Sequence, residues 1–275
     1  MSRLAAQLVV IAKAPAAGRV KTRLTPPFTP QAAANLAAAA LADTLETAAR
    51  VPFARRVLAL AGESGQIRVP PARAGRLTAV PAAGAAALPD LTWPPPGFEV
   101  TGQRGRGLDE RIAAALADAH ARLPVPVVLI GMDTPQVAQD VLQAAAHTLA
   151  RGDTDAVFGP ARDGGFWLLG LARPRASLVL GVPMSQDSTG GRQLARLRQA
   201  GLRINMLPEL VDVDTAADAY LVAEQARRSR FAAMLRRLSP AAGLSEDGVI
   251  DLARQARPGR RGEPSSEQDE RAMPA

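Results

Sequence analysis

Leu8-Val-Val-Ile-Ala-Lys13-Ala-Pro-Ala-Ala-Gly18-Arg-Val-Lys21-Thr-Arg-Leu24 is an apolar run that breaks into a basic loop containing proline and glycine. A buried strand ending at Ala12 delivers the chain to the carboxyl edge of a sheet, where open α/β folds bind ligands. Pro15, Gly18 and the small residues between them then form a loop whose backbone can approach an anion closely. Lys13, Arg19, Lys21 and Arg23 place four positive charges on it. The 275-residue chain has 33 lysines and arginines, and its only lysines are Lys13 and Lys21. Random placement among the basic positions would bring both lysines here roughly 1% of the time, and ammonium and guanidinium groups bind differently. The pattern points to a phosphate site; the plain alternative is a solvated basic loop in a basic protein. The Walker pattern G-x-x-x-x-G-K-[ST] is absent, so this is not a P-loop.

The rest of the composition fits such a site on an α/β frame. A hydrophobic share of 47% with only 3% aromatics describes a core of Ala, Leu and Val, as when helices pack on a sheet. The absence of cysteine excludes disulfides, thiolate nucleophiles and thiolate metal sites. A net charge of +7 raises nucleic-acid binding, but the arginines are dispersed and stacking aromatics are scarce, so no nucleic-acid partner is expected. No apolar run approaches the ~20 residues of a membrane span, and Met1-Ser-Arg-Leu4 shows no signal-peptide layout. A cytoplasmic location without a membrane partner is expected.

Apolar strands alternate with Ala-rich helical patterns from Leu8 onward. Thr29-Pro30 reads as an N-cap and first residue of a helix running to about Arg50. Val57–Ala61 is the next strand, followed over 63–100 by an irregular Pro/Gly/Ala connection with one short strand. A helix spans Leu108 to Leu123, a strand Val125 to Ile130, and a helix from near Pro135 to about Arg151. Strands at 155–159 and 165–171 are joined by Pro160–Gly164. A helix at 190–200, a strand at 203–207 and a helix from 216 to about Arg228 follow. Periodicity fades beyond Ser239, and the polar end from about Arg254 is expected to be disordered. The expected organisation is one domain over 1–238 and a C-terminal extension over 239–275.

Several carboxylates fall where chemistry would need them. Asp133, in Gly131-Met-Asp-Thr-Pro135, follows an apolar strand and stands at the ligand edge; it either holds Mg²⁺ or Mn²⁺ against phosphate oxygens or caps the following helix. Asp212 and Asp214, two apart, share a face if extended; either is a second cation ligand, or Asp214 or Thr215 caps the helix after Ala216. Asp163-Gly-Gly165 contacts an acceptor or sugar, or is a hairpin turn. His120 and His147 read as structural, and Trp167 as core. The G-x-S-x-G and zinc-protease patterns are absent.

Four ordered blocks carry a resemblance over Leu8 to Arg228: Lys13-x-Pro-x-x-Gly18-x-x-Lys21-Thr22-Arg23-Leu24, Gly131-x-Asp133-x-Pro135, Gly159-Pro-x-x-Asp163-Gly164-Gly165, and Asp212-Val-Asp214-Thr215. Together they resemble a bacterial nucleotide-diphospho-sugar-transferase-like family of GT-A fold. That family is a former domain of unknown function, often labelled a radical-SAM- or arsenosugar-associated glycosyltransferase. It is distantly similar to 2-phospholactate guanylyltransferase and molybdenum-cofactor guanylyltransferase. The resemblance implies a single α/β GT-A domain, a mostly parallel sheet with helices on both faces. It also implies that Lys21, Arg23 and Asp133 are catalytic, and that Lys13, Gly18, Arg19, Lys21, Thr22, Arg23 and Gln103 bind nucleotide. Asp133, Asp212 and Asp214 would hold Mg²⁺ or Mn²⁺, and Asp163, Gly164, Gly165 and Ser185 would face the acceptor. Met184-Ser185 stands where relatives often have Trp-Ser, and Gly102-Gln-Arg-Gly-Arg-Gly107 is more basic than the Gly-Asp-type loop of the family.

Three functions follow as alternatives: a nucleotidyltransferase joining an NMP unit to a small phosphorylated or oxyanion acceptor with loss of pyrophosphate, a glycosyltransferase using a nucleotide sugar, and a non-catalytic nucleotide-binding protein. Base, acceptor and oligomeric state are not specified by the sequence.

Overall fold

The computed structural model describes residues 3–62 and 94–240. Among the described residues seven strands form one sheet in the order β3-β2-β1-β4-β6-β5-β7. They are β1 Leu4–Lys13, β2 Phe53–Ala61, β3 Phe98–Gly102, β4 Val127–Ile130, β5 Ala156–Pro160, β6 Phe166–Leu171 and β7 Ile204–Met206. Only β6 runs antiparallel, between β4 and β5, so the sheet is mostly parallel as expected.

Alternation along β1 explains why both faces are covered. Leu4, Ala6, Leu8, Val10 and Ala12 join the core beneath α1 (Pro30–Arg50) and α3 (Gln139–Ala150). Val9 joins the opposite core, beneath α2 (Leu108–Arg122) and α4 (Thr189–Gln199). A strand buried on both sides loses the polar half of its pattern and becomes a continuous apolar run. The alanines of α1 serve a related purpose. Ala34, Ala37, Leu41 and Leu45 face the sheet, whereas Ala33, Leu36 and Ala40 pack against α5 (Ala216–Gln225) and α6 (Arg230–Leu238). Small side chains let this helix sit between two layers.

The observed elements amend several expectations. Strand β4 starts two residues later than read, at Val127, and α3 starts at Gln139 rather than near Pro135. The helix after Ala216 ends at Gln225, and a further helix, α6, follows because Ser229 caps it by accepting from the Ala232 N–H. Asp43 on α1 secures that second helix, accepting from the backbone N–H groups of Phe231 at 2.8 Å and Arg230 at 3.1 Å. Of the connection expected over 63–100 the described part begins at 94, and β3 starts there at Phe98 and runs on to Gly102. The rest of that connection through 93, and the tail expected to be disordered from about 254, lie outside the described residues. Among the described residues, no helix is long and apolar enough to cross a membrane.

Candidate functional site

The carboxyl ends of β1 and β4 open into a cleft of about 510 Å³. Its basic wall is the loop after β1. Gly18 turns it with φ +73, a left-handed value that glycine adopts without a steric penalty. Lys21 also adopts a left-handed conformation, φ 51 and ψ 42, just before the 3-10 turn Thr22–Leu24. A non-glycine residue seldom sits there without a reason in its surroundings. The Lys21 Nζ lies 2.9 Å from Oδ2 of Asp133, with the lysine side chain only 9% exposed and the aspartate 35%. Arg23, far more exposed, meets Oδ2 of Asp214 at 2.6 Å. Lys13 and Arg19 line the same cleft.

Opposite stands the acidic wall, built from two loops tied together. The Val213 N–H donates to the Asp133 carbonyl at 2.9 Å, and Gln136 Nε2 donates to the Val211 carbonyl at 2.6 Å. Asp133 does not cap α3, whose N-cap is Ala138 and has no side-chain cap bond. Nor do Asp212 and Asp214 cap α5: Thr215 does, in a capping box with Asp218. The three aspartates all line the cleft. Oδ1 of Asp133 and Oδ1 of Asp212 are buried without a hydrogen-bond partner, as is Oγ1 of Thr134. Burial first, then the charges of Asp133 and Asp163, push the Asp212 carboxyl up to about 7; Lys21 opposes them and Asp214 adds to them. Such oxygens are costly to leave unpaired, and Lys21 meets only the other oxygen of Asp133. Among the described residues no three His, Asp or Glu side chains form a ligand group. Two carboxylates, with phosphate and water oxygens completing the shell, fit the way Mg²⁺ is usually held.

The third wall is the β5–β6 hairpin against the start of α4. Asp163 Oδ1 accepts from the Gly165 N–H at 2.8 Å, so the carboxylate shapes its own turn while lining the cleft. Gly164, at φ +87, leaves so little room that an added Cβ would lie 1.8 Å from the Asp187 carbonyl oxygen. Ser185 lines this side with φ 59. Gln103 closes the floor, its Nε2 donating to the carbonyls of Ala12 at 2.8 Å and Ala59 at 2.9 Å. Both amide hydrogens are thereby spent on the ends of β1 and β2, and only its oxygen remains for a ligand.

Of the residues expected at the site, Lys13, Arg19, Lys21, Thr22, Arg23, Gln103, Asp133, Asp163, Gly165, Ser185, Asp212 and Asp214 line this one cleft. Gly18 and Gly164 are not among the lining residues; each turns, at positive φ, a loop that carries them. Sequence reading missed Thr134, Arg111 and Thr189, which also line it. Arg111 donates to the Gly105 carbonyl at 3.1 Å, fastening the loop after Gln103. Thr189 donates to the Pro183 carbonyl at 2.9 Å and so holds the turn bearing Ser185. Trp167 is core, 3% exposed, with its Nε1–H donated to the Pro208 carbonyl. His120 is bound through Nδ1 to the Val125 carbonyl, away from the cleft.

The family model described as "Uncharacterized protein conserved in bacteria (DUF2064)" matches residues 44–186, just over half of the chain. No curated protein matches. Among solved structures, one from Desulfovibrio desulfuricans G20, carrying the name of a nucleotide-diphospho-sugar transferase, is 26% identical. That match covers 87% of this chain and 96% of the other with a TM-score of 0.70. Rv0371c of Mycobacterium tuberculosis H37Rv in complex with manganese is 21% identical, covering 80% and 98% with a TM-score of 0.44. The 2-C-methyl-D-erythritol 4-phosphate cytidylyltransferase of Thermus thermophilus is 16% identical, covering 82% and 100% with a TM-score of 0.43.

Proposed function

The chain belongs to the DUF2064 family of proteins conserved in bacteria, and on that premise we propose that it is a cation-dependent transferase acting on a nucleotide and a small acceptor, with nucleotidyl transfer as its reaction. One observation carries the reading. Across a single cleft, a loop with four cations faces two carboxylates whose buried oxygens have no partner. A triphosphate with a divalent cation is the ligand whose charges satisfy both walls.

Asp133 and Asp212 would hold Mg²⁺ or Mn²⁺, with Asp214 at the rim. When bound, the cation neutralises charge on the phosphates and on departing pyrophosphate. Lys21 and Arg23 take the phosphate oxygens, with Lys13 and Arg19 beside them, and Gln103 offers its oxygen to the base. Asp163, Gly164, Gly165 and Ser185 bound the space for the acceptor. An acceptor oxyanion held there attacks the α-phosphorus; the new P–O bond forms as the bond to pyrophosphate breaks, and pyrophosphate leaves with the electron pair. The chain contributes alignment and fixed positive charge, and no covalent intermediate on the protein is required. Residues 1–238 form the transferase domain in this account, and 239–275 an extension to it.

A second reading, glycosyl transfer from a nucleotide sugar, is favoured by the name of the Desulfovibrio relative. The products separate the two. Incubation with nucleoside triphosphates, nucleotide sugars and a panel of phosphorylated acceptors, followed by ³¹P NMR, is expected to yield pyrophosphate. Release of a nucleoside diphosphate from a nucleotide sugar, with triphosphates inert, would replace the first reading by the second.

A further inference from the structure

Lys21 is already spent. Its ammonium lies 2.9 Å from Asp133 Oδ2 and is largely shielded from solvent, so one of the two carboxylates read above as cation ligands is neutralised by the chain itself. Arg23 does the same to Asp214. Lys13 and Arg19 line the same cleft with no ion pair to a carboxylate among the described residues. A polyphosphate can therefore meet Lys13 and Arg19 without breaking any contact. A divalent cation has no such free entry.

We propose that Lys21 is a resident counter-ion that keeps a divalent cation off Asp133 until a polyphosphate draws its ammonium away, so that metal and nucleotide enter as a coupled pair. The inference rests on the reading of Asp133 and Asp212 as cation ligands. A cation arriving alone meets the positive charge of Lys21 in a partly dehydrated site, where repulsion is weakly screened. Displacing Lys21 without a new partner strands a shielded ammonium, which is the costly way to break such a pair. A polyphosphate removes both obstacles by offering Lys21 several anionic oxygens.

The test reads binding of Mn²⁺ alone to the full chain, from loss of the free-Mn²⁺ EPR signal. The wild type is expected to bind weakly. Lys21→Met, of similar length but uncharged, is expected to bind about tenfold tighter or more, within the ordinary 5–150-fold range of coupling between sites. Lys21→Arg restores weak binding. Lys21→Gln, which can still donate a hydrogen bond to Asp133, moves in the same direction as Lys21→Met and guards against loss of the fold. Asp133→Asn removes the gain. Equal Mn²⁺ affinity in the wild type and both neutral variants, lost on Asp133→Asn, would overturn the gating and leave the cation site standing. No Mn²⁺ binding by any of the proteins would overturn both.

Discussion

Adjacent glycines at the start of α4 answer to opposite forces, and the contrast tests how the acceptor wall is built. Replacing a helical glycine by alanine ordinarily stabilises by up to about 1 kcal/mol. At Gly191 an added Cβ meets nothing within 4 Å, so Gly191→Ala is expected to gain part of that amount. At Gly190 the same atom would lie 2.2 Å from the Gly165 carbonyl oxygen and 2.9 Å from that of Gly164. Both obstacles are backbone and cannot rotate away. The hairpin must retreat, losing the 2.7 Å bond from the Gly190 N–H to the Gly164 carbonyl. That bond is worth about 1 kcal/mol, and the overpacking costs roughly 1–3 kcal/mol more. Offset by the helix gain, Gly190→Ala should lose about 1–3 kcal/mol, which for a chain of this size lowers Tm by roughly 3–10 °C. Paired thermal melts followed by circular dichroism read the difference. Because the retreat carries Asp163 and leaves the Lys21 loop in place, nucleotide affinity should survive better than transfer to an acceptor. A Gly190→Ala protein melting at or above Gly191→Ala would refute the contact on which this account of the wall depends.

Asp212→Asn exchanges a buried, unpartnered carboxylate oxygen for a neutral amide of the same shape; the metal-free protein should melt higher, while stabilisation by Mn²⁺ with a nucleoside triphosphate is lost, both read by thermal shift. Asp43→Ala leaves the N–H groups of Arg230 and Phe231 without an acceptor and the shielded Arg230 guanidinium with Glu46 as its remaining carboxylate, and urea denaturation should show a loss of about 2–3 kcal/mol as α6 loosens from α1. Asp155, hydrogen-bonded by the Arg203 side chain and then its backbone N–H, has its carboxyl lowered to about 2. Because the folded value lies below the ordinary ~3.9, its stabilisation is complete above about pH 4 and disappears as pH falls through about 2. The site is exposed, so it contributes less than about 1 kcal/mol, and Asp155→Asn should flatten the stability profile between pH 4 and pH 2 in acid titrations followed by fluorescence.

What could be read from the chain was whatever is local. The apolar run before Lys13, the concentration of both lysines and the turn chemistry of Gly131–Pro135 are properties of neighbours in sequence, and they located the sheet edge and its charged loop. The alternatives left open at Asp133 and Asp214 needed tertiary contacts: Lys21 reaches Asp133 from a distant strand end, and a Thr215 capping box with Asp218 relieves Asp214 of capping. Helix α6 was hidden because Arg227-Arg228-Ser229-Arg230 looks like the frayed end of one helix. It is the cap of another, held by Asp43 from far up the chain. Arg111 and Thr189 escaped notice for the same reason, since each acts by fastening a loop that carries another residue's side chain into the cleft. The antiparallel pairing of β5 with β6 was legible as the hairpin alternative at Asp163–Gly165, but which of the two strands opposes the rest of the sheet was not, because alternation reports which faces are buried and not which way a strand runs.

A joint site for a nucleoside triphosphate and a divalent cation should show in thermal stabilisation by a panel of triphosphates and nucleotide sugars, measured with Mg²⁺ and with EDTA. A ligand at 100 times its Kd adds about 2.7 kcal/mol to stability, well within reach of a melt. The expected result is a Mg²⁺-dependent shift with a triphosphate that is lost in Lys21→Ala and Asp133→Ala and kept in His120→Ala. No shift with any nucleotide, or one indifferent to Mg²⁺ and to both substitutions, would contradict it.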